Sequence, residues 1–132
     1  MKAETEKITL NMNSMDLARI DLLVDQGYYQ NRTDFLKKAI HSQIMSYHDE
    51  IAKSLSVIES KSTVLMGVVK IDSETLKNLS EGRTDVKTSI TVFGICHIDK
   101  SISLEEIQQF VSEITVYGVT RANPSIKTAY GI

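Results

Sequence analysis

Lys7-Ile8-Thr9-Leu10-Asn11-Met12-Asn13 is the stretch that decides the fold of the N-terminal part of the chain. Apolar and polar residues alternate in it, which is the pattern of a β-strand with one buried side. Such a short strand cannot stand alone, because its backbone N–H and C=O groups need hydrogen-bond partners. The residues that follow have a helical pattern, so they supply no second strand. The most economical partner is therefore the same strand of a second copy of the chain.

Two helices are predicted after this strand. Apolar residues first recur at helical spacing, at Leu17, Ile20, Leu23 and Val24. A cap at Asn13 or Ser14 would begin the first helix, and Gly27 would end it just after Gln26. Asn31 is a good cap for the second helix, with Asp34 in its positively polarised first turn.

The second helical pattern is unusually long. Its core-facing stripe begins with Phe35, Leu36, Ala39, Ile40 and Ile44. The stripe continues at spacings of three and four with Tyr47, Ile51, Leu55 and Ile58. No Gly or Pro interrupts residues 31–60. We therefore predict one long helix, or two nearly continuous ones, ending near Ser60. Its apolar stripe would pack against the C-terminal part or form a coiled-coil-like seam between subunits.

Residues 7–44 resemble a ribbon-helix-helix domain, the dimeric DNA-binding fold of MetJ, Arc and CopG-type regulators. Three segments carry the resemblance: Lys-Ile-Thr-Leu-Asn-Met at 7–12, the first helix, and Gly-Tyr-Tyr-Gln-Asn-Arg-Thr-Asp-Phe-Leu-Lys-Lys-Ala-Ile at 27–40. The resemblance implies that two copies pair their strands into one ribbon. In this family the ribbon enters the major groove of double-stranded DNA.

The resemblance places Lys7, Thr9 and Asn11 on the side of the ribbon that reads bases. Lysine suits the acceptors of guanine, asparagine can bond adenine at two atoms, and threonine offers a hydroxyl and a methyl group. The alternative is an ordinary solvated strand face.

Asn31, Arg32 and Thr33 lie where the start of an exposed helix would hold a DNA phosphate. Free N–H groups and the helix dipole attract an anion there, and Arg32 adds a positive charge. The alternative is an ordinary helix cap beside a surface arginine.

The C-terminal half contains an internal repeat of three eight-residue windows, at residues 65–72, 92–99 and 116–123. The third position of each window is a glycine: Gly67, Gly94 and Gly118. The windows begin 27 and then 24 residues apart, which is typical of strand-plus-helix repeats. The glycines would lie side by side on a sheet, and we expect the middle one to tolerate a side chain least.

Helical signals fill the gaps between the windows. One helix would begin at Asp72 or Ser73 and end at Gly82. Ser103 and Glu106 form a capping-box pattern, and Pro124 follows a cap at Asn123. The order strand, helix, strand, helix, strand predicts parallel strands with right-handed crossovers.

The predicted fold class is α+β, with a dimeric ribbon-helix-helix, a long connecting helix and a small βα-repeat domain of parallel strands. The predicted domains are residues 1–46 for DNA binding and dimerisation, 47–61 as a helical connector, and 62–132 for oligomerisation or partner binding. For the last domain we favour a leucine-rich-repeat-like solenoid, with a compact three-stranded sandwich as the alternative.

Two further residue groups invite a ligand hypothesis. Lys70, His97 and Arg121 occupy equivalent repeat positions and would form a row for an anion or an acidic partner, or else a solvated edge. Cys96-His97 suggests a metal, because nickel-responsive regulators join a ribbon-helix-helix to a metal-sensing domain. Adjacent strand residues point to opposite faces, however, so we expect no metal site and no cofactor.

Composition limits the remaining classes of protein. The 132 residues carry a net charge of −2, and residues 1–46 hold six basic and six acidic residues, so DNA contacts must be local. The sequence has no apolar run of about 18 residues and no signal-peptide core, and it contains one cysteine. We therefore expect a cytoplasmic protein without a membrane partner. No enzyme motif is present in the sequence.

The sequence therefore predicts a homodimeric, sequence-specific DNA-binding transcriptional regulator, most simply a repressor on a pseudo-palindromic operator. Its C-terminal domain would promote assembly to a tetramer or higher, or respond to a partner. The alternative is a protein-interaction scaffold or antitoxin-like module whose C-terminal domain assembles subunits. A metal- or ligand-sensing regulator is the third hypothesis.

Overall fold

The computed structural model describes residues 5–80 and 87–132, which form two compact units. The N-terminal unit comprises residues 5–54 and the C-terminal unit begins at Leu55. The chain passes from one unit to the other within helix α3 (His48–Glu59). The three-domain division at residues 46 and 61 stays a prediction.

Helices α1 (Ser14–Asp25) and α2 (Arg32–Met45) lie where the sequence predicts them. The Asn13 side chain accepts a hydrogen bond of 2.8 Å from the backbone N–H of Met15 and so caps α1. After α1, Gly27 adopts a φ of +86°, which only glycine enters without strain. The long helical pattern is divided at residues 46 and 47, so of the two alternatives the nearly continuous pair of helices is observed.

Residues 5–13 form neither a helix nor a hydrogen-bonded strand in the single chain. A ribbon strand pairs with the equivalent strand of a second copy, and a single chain provides no such partner. The N-terminal strand therefore stays a prediction.

The N-terminal unit buries few of its apolar side chains. Ile20, which exposes 5% of its surface, is its one buried hydrophobic residue within the described range. Its exposed large apolar residues are Ile8, Leu10, Met15, Leu22, Tyr28, Ile40, Ile44, Met45 and Tyr47. So many exposed large apolar residues are unusual for a unit that folds alone.

The C-terminal unit is a parallel sheet in the strand order β1-β2-β3, with a helix after each strand. Its elements are β1 (Thr63–Ile71), α4 (Ser73–Ser80), β2 (Thr88–Ile98), α5 (Leu104–Phe110), β3 (Val111–Arg121) and α6 (Pro124–Tyr130). Gly67 pairs with Gly94 and Gly94 with Gly118, and the register agrees with the predicted alignment for residues 65–71 with 92–98 and for residues 92–97 with 116–121. The leucine-rich-repeat likeness stays a prediction.

One face of this sheet carries the hydrophobic core. Its buried members are Ile71, Leu76, Ile90, Val92, Cys96, Ile98, Ile102, Ile107, Val111, Ile114 and Ile126. Leu76 of α4, Ile107 of α5 and Ile126 of α6 are fully buried, so all three helices cover this same face. The side chains between the core positions of each strand point to the opposite face.

The helix starts of this unit follow the predictions with two corrections. Asn123 precedes α6, but its side chain makes no cap hydrogen bond and donates instead to the carbonyl oxygen of Lys100 at 3.2 Å. Asp72 Oδ1 accepts from the backbone N–H of Thr75 at 2.8 Å, and Ser103 Oγ accepts from that of Glu106 at 3.1 Å. The Glu106 carboxylate does not complete a capping box, because it accepts a 2.7 Å hydrogen bond from the Ser73 hydroxyl instead. That bond ties α5 to α4. The predicted stop at Gly82 lies outside the described residues.

The three equivalent glycines form a column across the sheet, and all have positive φ: +89°, +137° and +128° for Gly67, Gly94 and Gly118. A Cβ on Gly94 would overlap the carbonyl oxygen of Gly67, and one on Gly118 would overlap that of Gly94. Gly67 faces open space. The expectation that the middle glycine alone is least tolerant is therefore wrong, because Gly118 is enclosed as tightly.

None of the helices in the two described ranges is long and apolar enough to cross a membrane.

Candidate nucleic-acid interface

The N-terminal segment separates its polar and apolar side chains by position. Lys7, Thr9 and Asn11 are all exposed. Between them, Ile8 and Leu10 expose 86% and 68% of their surface. Burial of Ile8 and Leu10 against another apolar surface would be favourable, whereas the three polar side chains gain nothing from such burial.

An open groove lies between this segment and the two helices of the unit. Its lining is mainly apolar and comprises Met12, Asp16, Arg19, Ile20, Leu23, Phe35 and Leu36. Asp16 and Arg19 form an exposed ion pair of 2.9 Å. Met12 is the residue of the segment that lines this groove.

Arg32 is engaged within the N-terminal unit. Its Nε and Nη2 atoms donate to the two carboxylate oxygens of Asp21 at 2.8 and 2.9 Å. These hydrogen bonds hold the pKa of Asp21 below its ordinary value. The bidentate pair joins α1 to the first residue of α2, a role that sequence reasoning missed. No spacing rule connects residues 11 apart across a turn, so only the structure could reveal it.

The start of α2 is well ordered around its cap. Asn31 Oδ1 accepts from the backbone N–H of Asp34 at 2.8 Å, and the Asp34 carboxylate accepts from that of Gln30 at 3.0 Å. The Gln30 hydrogen bond lowers the pKa of Asp34, and Lys38 lies 3.2 Å from the carboxylate. The N–H groups of the first two helical residues have no acceptor within a helix. They belong to Arg32 and Thr33, which are both exposed.

The turn before α2 is held by an aromatic pair that sequence reasoning did not identify. The rings of Tyr29 and Phe35 meet edge to face, with centroids 4.9 Å apart. The Lys38 ammonium group lies 5.5 Å from the centroid of Tyr29. A cation over an aromatic face is attracted by the ring quadrupole. Lys38 therefore stabilises this turn through both Asp34 and Tyr29.

The basic row of the C-terminal unit is brought together by the strand register. Lys70 pairs with His97, and His97 with Arg121, and all three are exposed. The row lies on the sheet face opposite the helices. Asp99 follows one strand and its pKa is lowered, chiefly by the backbone N–H of Ser101 and to a smaller extent by His97.

Cys96 and His97 point to opposite faces of β2. Cys96 is fully buried in the core, and burial raises the pKa of its thiol to about 11. His97 is exposed on the other face, and His41 and His48 belong to the N-terminal unit. Within residues 5–80 and 87–132, no three His, Cys, Asp or Glu side chains are grouped as metal ligands would be.

We expect Cys96 to be unreactive in the folded protein at pH 8. The thiolate is the nucleophile, and both the raised pKa and the burial suppress it. A chromogenic disulfide reagent should therefore label the native chain far more slowly than the chain unfolded in urea. Fast labelling of the native protein would show that the sheet opens or that the thiol is exposed.

Comparison with known proteins gives one result. No curated protein and no solved structure matches the chain. The model of the Ribbon-Helix-Helix transcriptional regulator family matches residues 3–127. The match extends far beyond the predicted residues 7–44 and includes all three strands of the C-terminal unit. The chain therefore belongs to the ribbon-helix-helix transcriptional regulator family.

Proposed function

We propose that this protein is a sequence-specific DNA-binding regulator that acts as a homodimer and inserts a two-stranded ribbon into the major groove. The observation that carries the proposal is the alternation along residues 7–12, where exposed polar residues flank Ile8 and Leu10, which leave 86% and 68% of their surface exposed in the described part of the chain. Family membership supports both DNA and a second copy as partners.

The dimer follows from the exposed apolar surface. Pairing residues 7–12 of two chains would satisfy their backbone groups and turn Ile8 and Leu10 toward the helices of the dimer. The groove beside α1 and α2 offers apolar surface to receive such side chains. Each copy then contributes half of one core, and we expect no stable folded monomer of the N-terminal unit.

Base reading is assigned to Lys7, Thr9 and Asn11. Burying the apolar side of the ribbon leaves these three side chains on its outer side. A two-stranded ribbon fits the width of the major groove, and these side chains match the donors and acceptors of base edges there. A symmetric dimer presents the set twice, so the operator should be pseudo-palindromic.

Phosphate binding is assigned to the start of α2, at Asn31, Arg32 and Thr33. The backbone N–H groups of Arg32 and Thr33 supply the donors at the positive end of the helix dipole. The Arg32 guanidinium is held by Asp21, so it both positions this helix start and adds a positive charge beside the bound phosphate. Bound phosphates would fix the orientation of the ribbon without reading sequence.

We expect Thr9→Ala and Asn11→Ala each to weaken binding to the selected operator by about 1–3 kcal/mol, since each removes a contact to a base edge. Both residues are exposed, so the fold should persist. The operator would first be selected from a random DNA pool with the full chain. Titration of operator and scrambled duplexes by fluorescence anisotropy then measures both affinities.

Arg32→Ala provides the contrasting variant. It should weaken operator and scrambled DNA alike and make the dependence of affinity on salt less steep. Asp21→Ala is its matched partner, because it breaks the same ion pair but keeps the arginine. If Thr9→Ala and Asn11→Ala bind operator as the unchanged protein does, the ribbon face is not the reading surface.

We propose repression as the mode of action, because a dimer seated on an operator blocks other proteins from the same DNA. The second candidate function is an interaction scaffold or antitoxin-like module, favoured by the sheet face of the C-terminal unit that no described helix covers. Recovery of a defined sequence from the random DNA pool supports the regulator. Recovery of no sequence favours the scaffold.

A further inference from the structure

We propose that the uncovered face of the C-terminal sheet packs against the same face of the second copy within the ribbon dimer. The proposal rests on the dimer of the proposed function and adds a second interface to it. We name this surface the open face and define it by side chains that alternate with the core: Val64, Met66, Val68 and Lys70 of β1, Phe93, Ile95 and His97 of β2, and Glu113, Thr115, Tyr117, Val119 and Arg121 of β3.

The centre of the open face is apolar and exposed. Met66, Phe93 and Tyr117 lie side by side in register, and Val68 belongs to the next row. These four side chains expose between 39% and 57% of their surface. The Phe93 and Tyr117 rings already touch, with centroids 6.2 Å apart. Contiguous apolar surface of this kind marks an interface.

The size of the open face favours a tethered copy over a free partner. The area of the open face is roughly 300–400 Å² per copy, because it spans three strands about 4.8 Å apart and four residue rows. The two faces together would bury less than the roughly 1,200 Å² that a stable complex of free proteins needs. Two copies joined through their ribbons are tethered, and a tether raises the effective concentration of the two faces, which compensates for the small area.

The charged residues of the open face favour one orientation of the two copies over the other. Glu113 and Arg121 lie at opposite ends of β3, each four residues from Tyr117. A two-fold axis that crosses the strands at the row of Tyr117 sets Glu113 of each copy opposite the other copy's Arg121. An axis along the strands would instead set the basic row of Lys70, His97 and Arg121 against itself, which is repulsive. We therefore assign the antiparallel arrangement, with the Phe93 side chains of the two copies facing each other.

The test uses Phe93→Cys in the full chain and a short bismaleimide that joins two thiols. Packed sheets lie about 10 Å apart, so the two introduced thiols would be within reach of the reagent. Ser125→Cys is the matched control, because Ser125 is exposed on α6 at the helix side of the same unit and has the same tether. The native Cys96 is buried. We expect cross-linked dimer from Phe93→Cys in about tenfold excess over the control.

A second variant tests whether the cross-link reports contact between the open faces or only the tether through the ribbons. Tyr117→Lys in the Phe93→Cys chain should abolish the cross-link, since it places a charge in the apolar centre of the interface. The substitution lies outside the core, so circular dichroism should show an unchanged fold. A cross-link that survives Tyr117→Lys would reflect tethering alone and would overturn the proposal.

Sedimentation of the same samples distinguishes a failure of the paired open faces from a failure of the ribbon dimer. A dimer that gives the Phe93→Cys cross-link supports the proposal. A dimer without the cross-link overturns the paired open faces and leaves the ribbon dimer standing. A tetramer that dissociates to dimers on Tyr117→Lys overturns pairing within one dimer. A monomer overturns the ribbon dimer of the proposed function and the present proposal with it.

Discussion

Leu10→Lys should abolish the dimer and unfold the N-terminal unit. Leu10 exposes 68% of its surface in the single chain, and in the proposed ribbon it is buried against the partner. Removing a buried leucine side chain costs about 2–5 kcal/mol, and a buried unpaired charge adds to that cost. The dimer contains two copies of the change. We therefore expect a loss of at least about 4 kcal/mol, or roughly a thousandfold weaker dimer.

Thr9→Lys is the matched control for this change. Thr9 is adjacent to Leu10 but lies on the opposite side of the proposed ribbon, so the same introduced charge should stay in solvent and leave the dimer intact. Sedimentation equilibrium measures the mass of each variant, and circular dichroism measures its helix content. If Leu10→Lys sediments as a dimer with full helix content, residues 7–12 do not form the dimer interface.

Gly94→Ala and Gly118→Ala should each destabilise the C-terminal unit strongly. The added Cβ would overlap the carbonyl oxygen of Gly67 or of Gly94, and backbone atoms cannot move aside without distorting the sheet. Overpacking costs about 1–3 kcal/mol. The positive φ at both sites costs a non-glycine residue about 1–2 kcal/mol more. This is a large share of the stability of a small unit.

Gly67→Ala separates the cost of the steric overlap from the cost of the positive φ. Gly67 has a φ of +89° but nothing within 4 Å of a built Cβ, so only the strain of about 1–2 kcal/mol should remain. Urea unfolding followed by circular dichroism ranks the three variants. The N-terminal dimer should persist in all of them, because its apolar residues are separate from the sheet core. Equal effects of the three alanines would contradict the close approach of the glycine carbonyls.

Local sequence signals determined most of the elements of this protein. The caps at Asn13, Asn31 and Ser103 begin helices where predicted, because side-chain capping is a contact between near neighbours in the chain. The repeat of Gly67, Gly94 and Gly118 predicted the register of the sheet, because equivalent positions of parallel βα units align. The candidate ribbon residues also followed from alternation and family resemblance, and their role in DNA binding stays a prediction.

The tertiary structure alone decided the contacts between residues that are distant in sequence. It showed that Asp21 holds Arg32 and that Glu106 bonds Ser73 instead of closing its own capping box. It also showed that Gly118 is as enclosed as Gly94, which depends on the carbonyl direction of the neighbouring strand. Above all, it showed which sheet face the helices cover. Periodicity places residues on two faces of a strand, but only packing determines which face is buried and which is left for a partner.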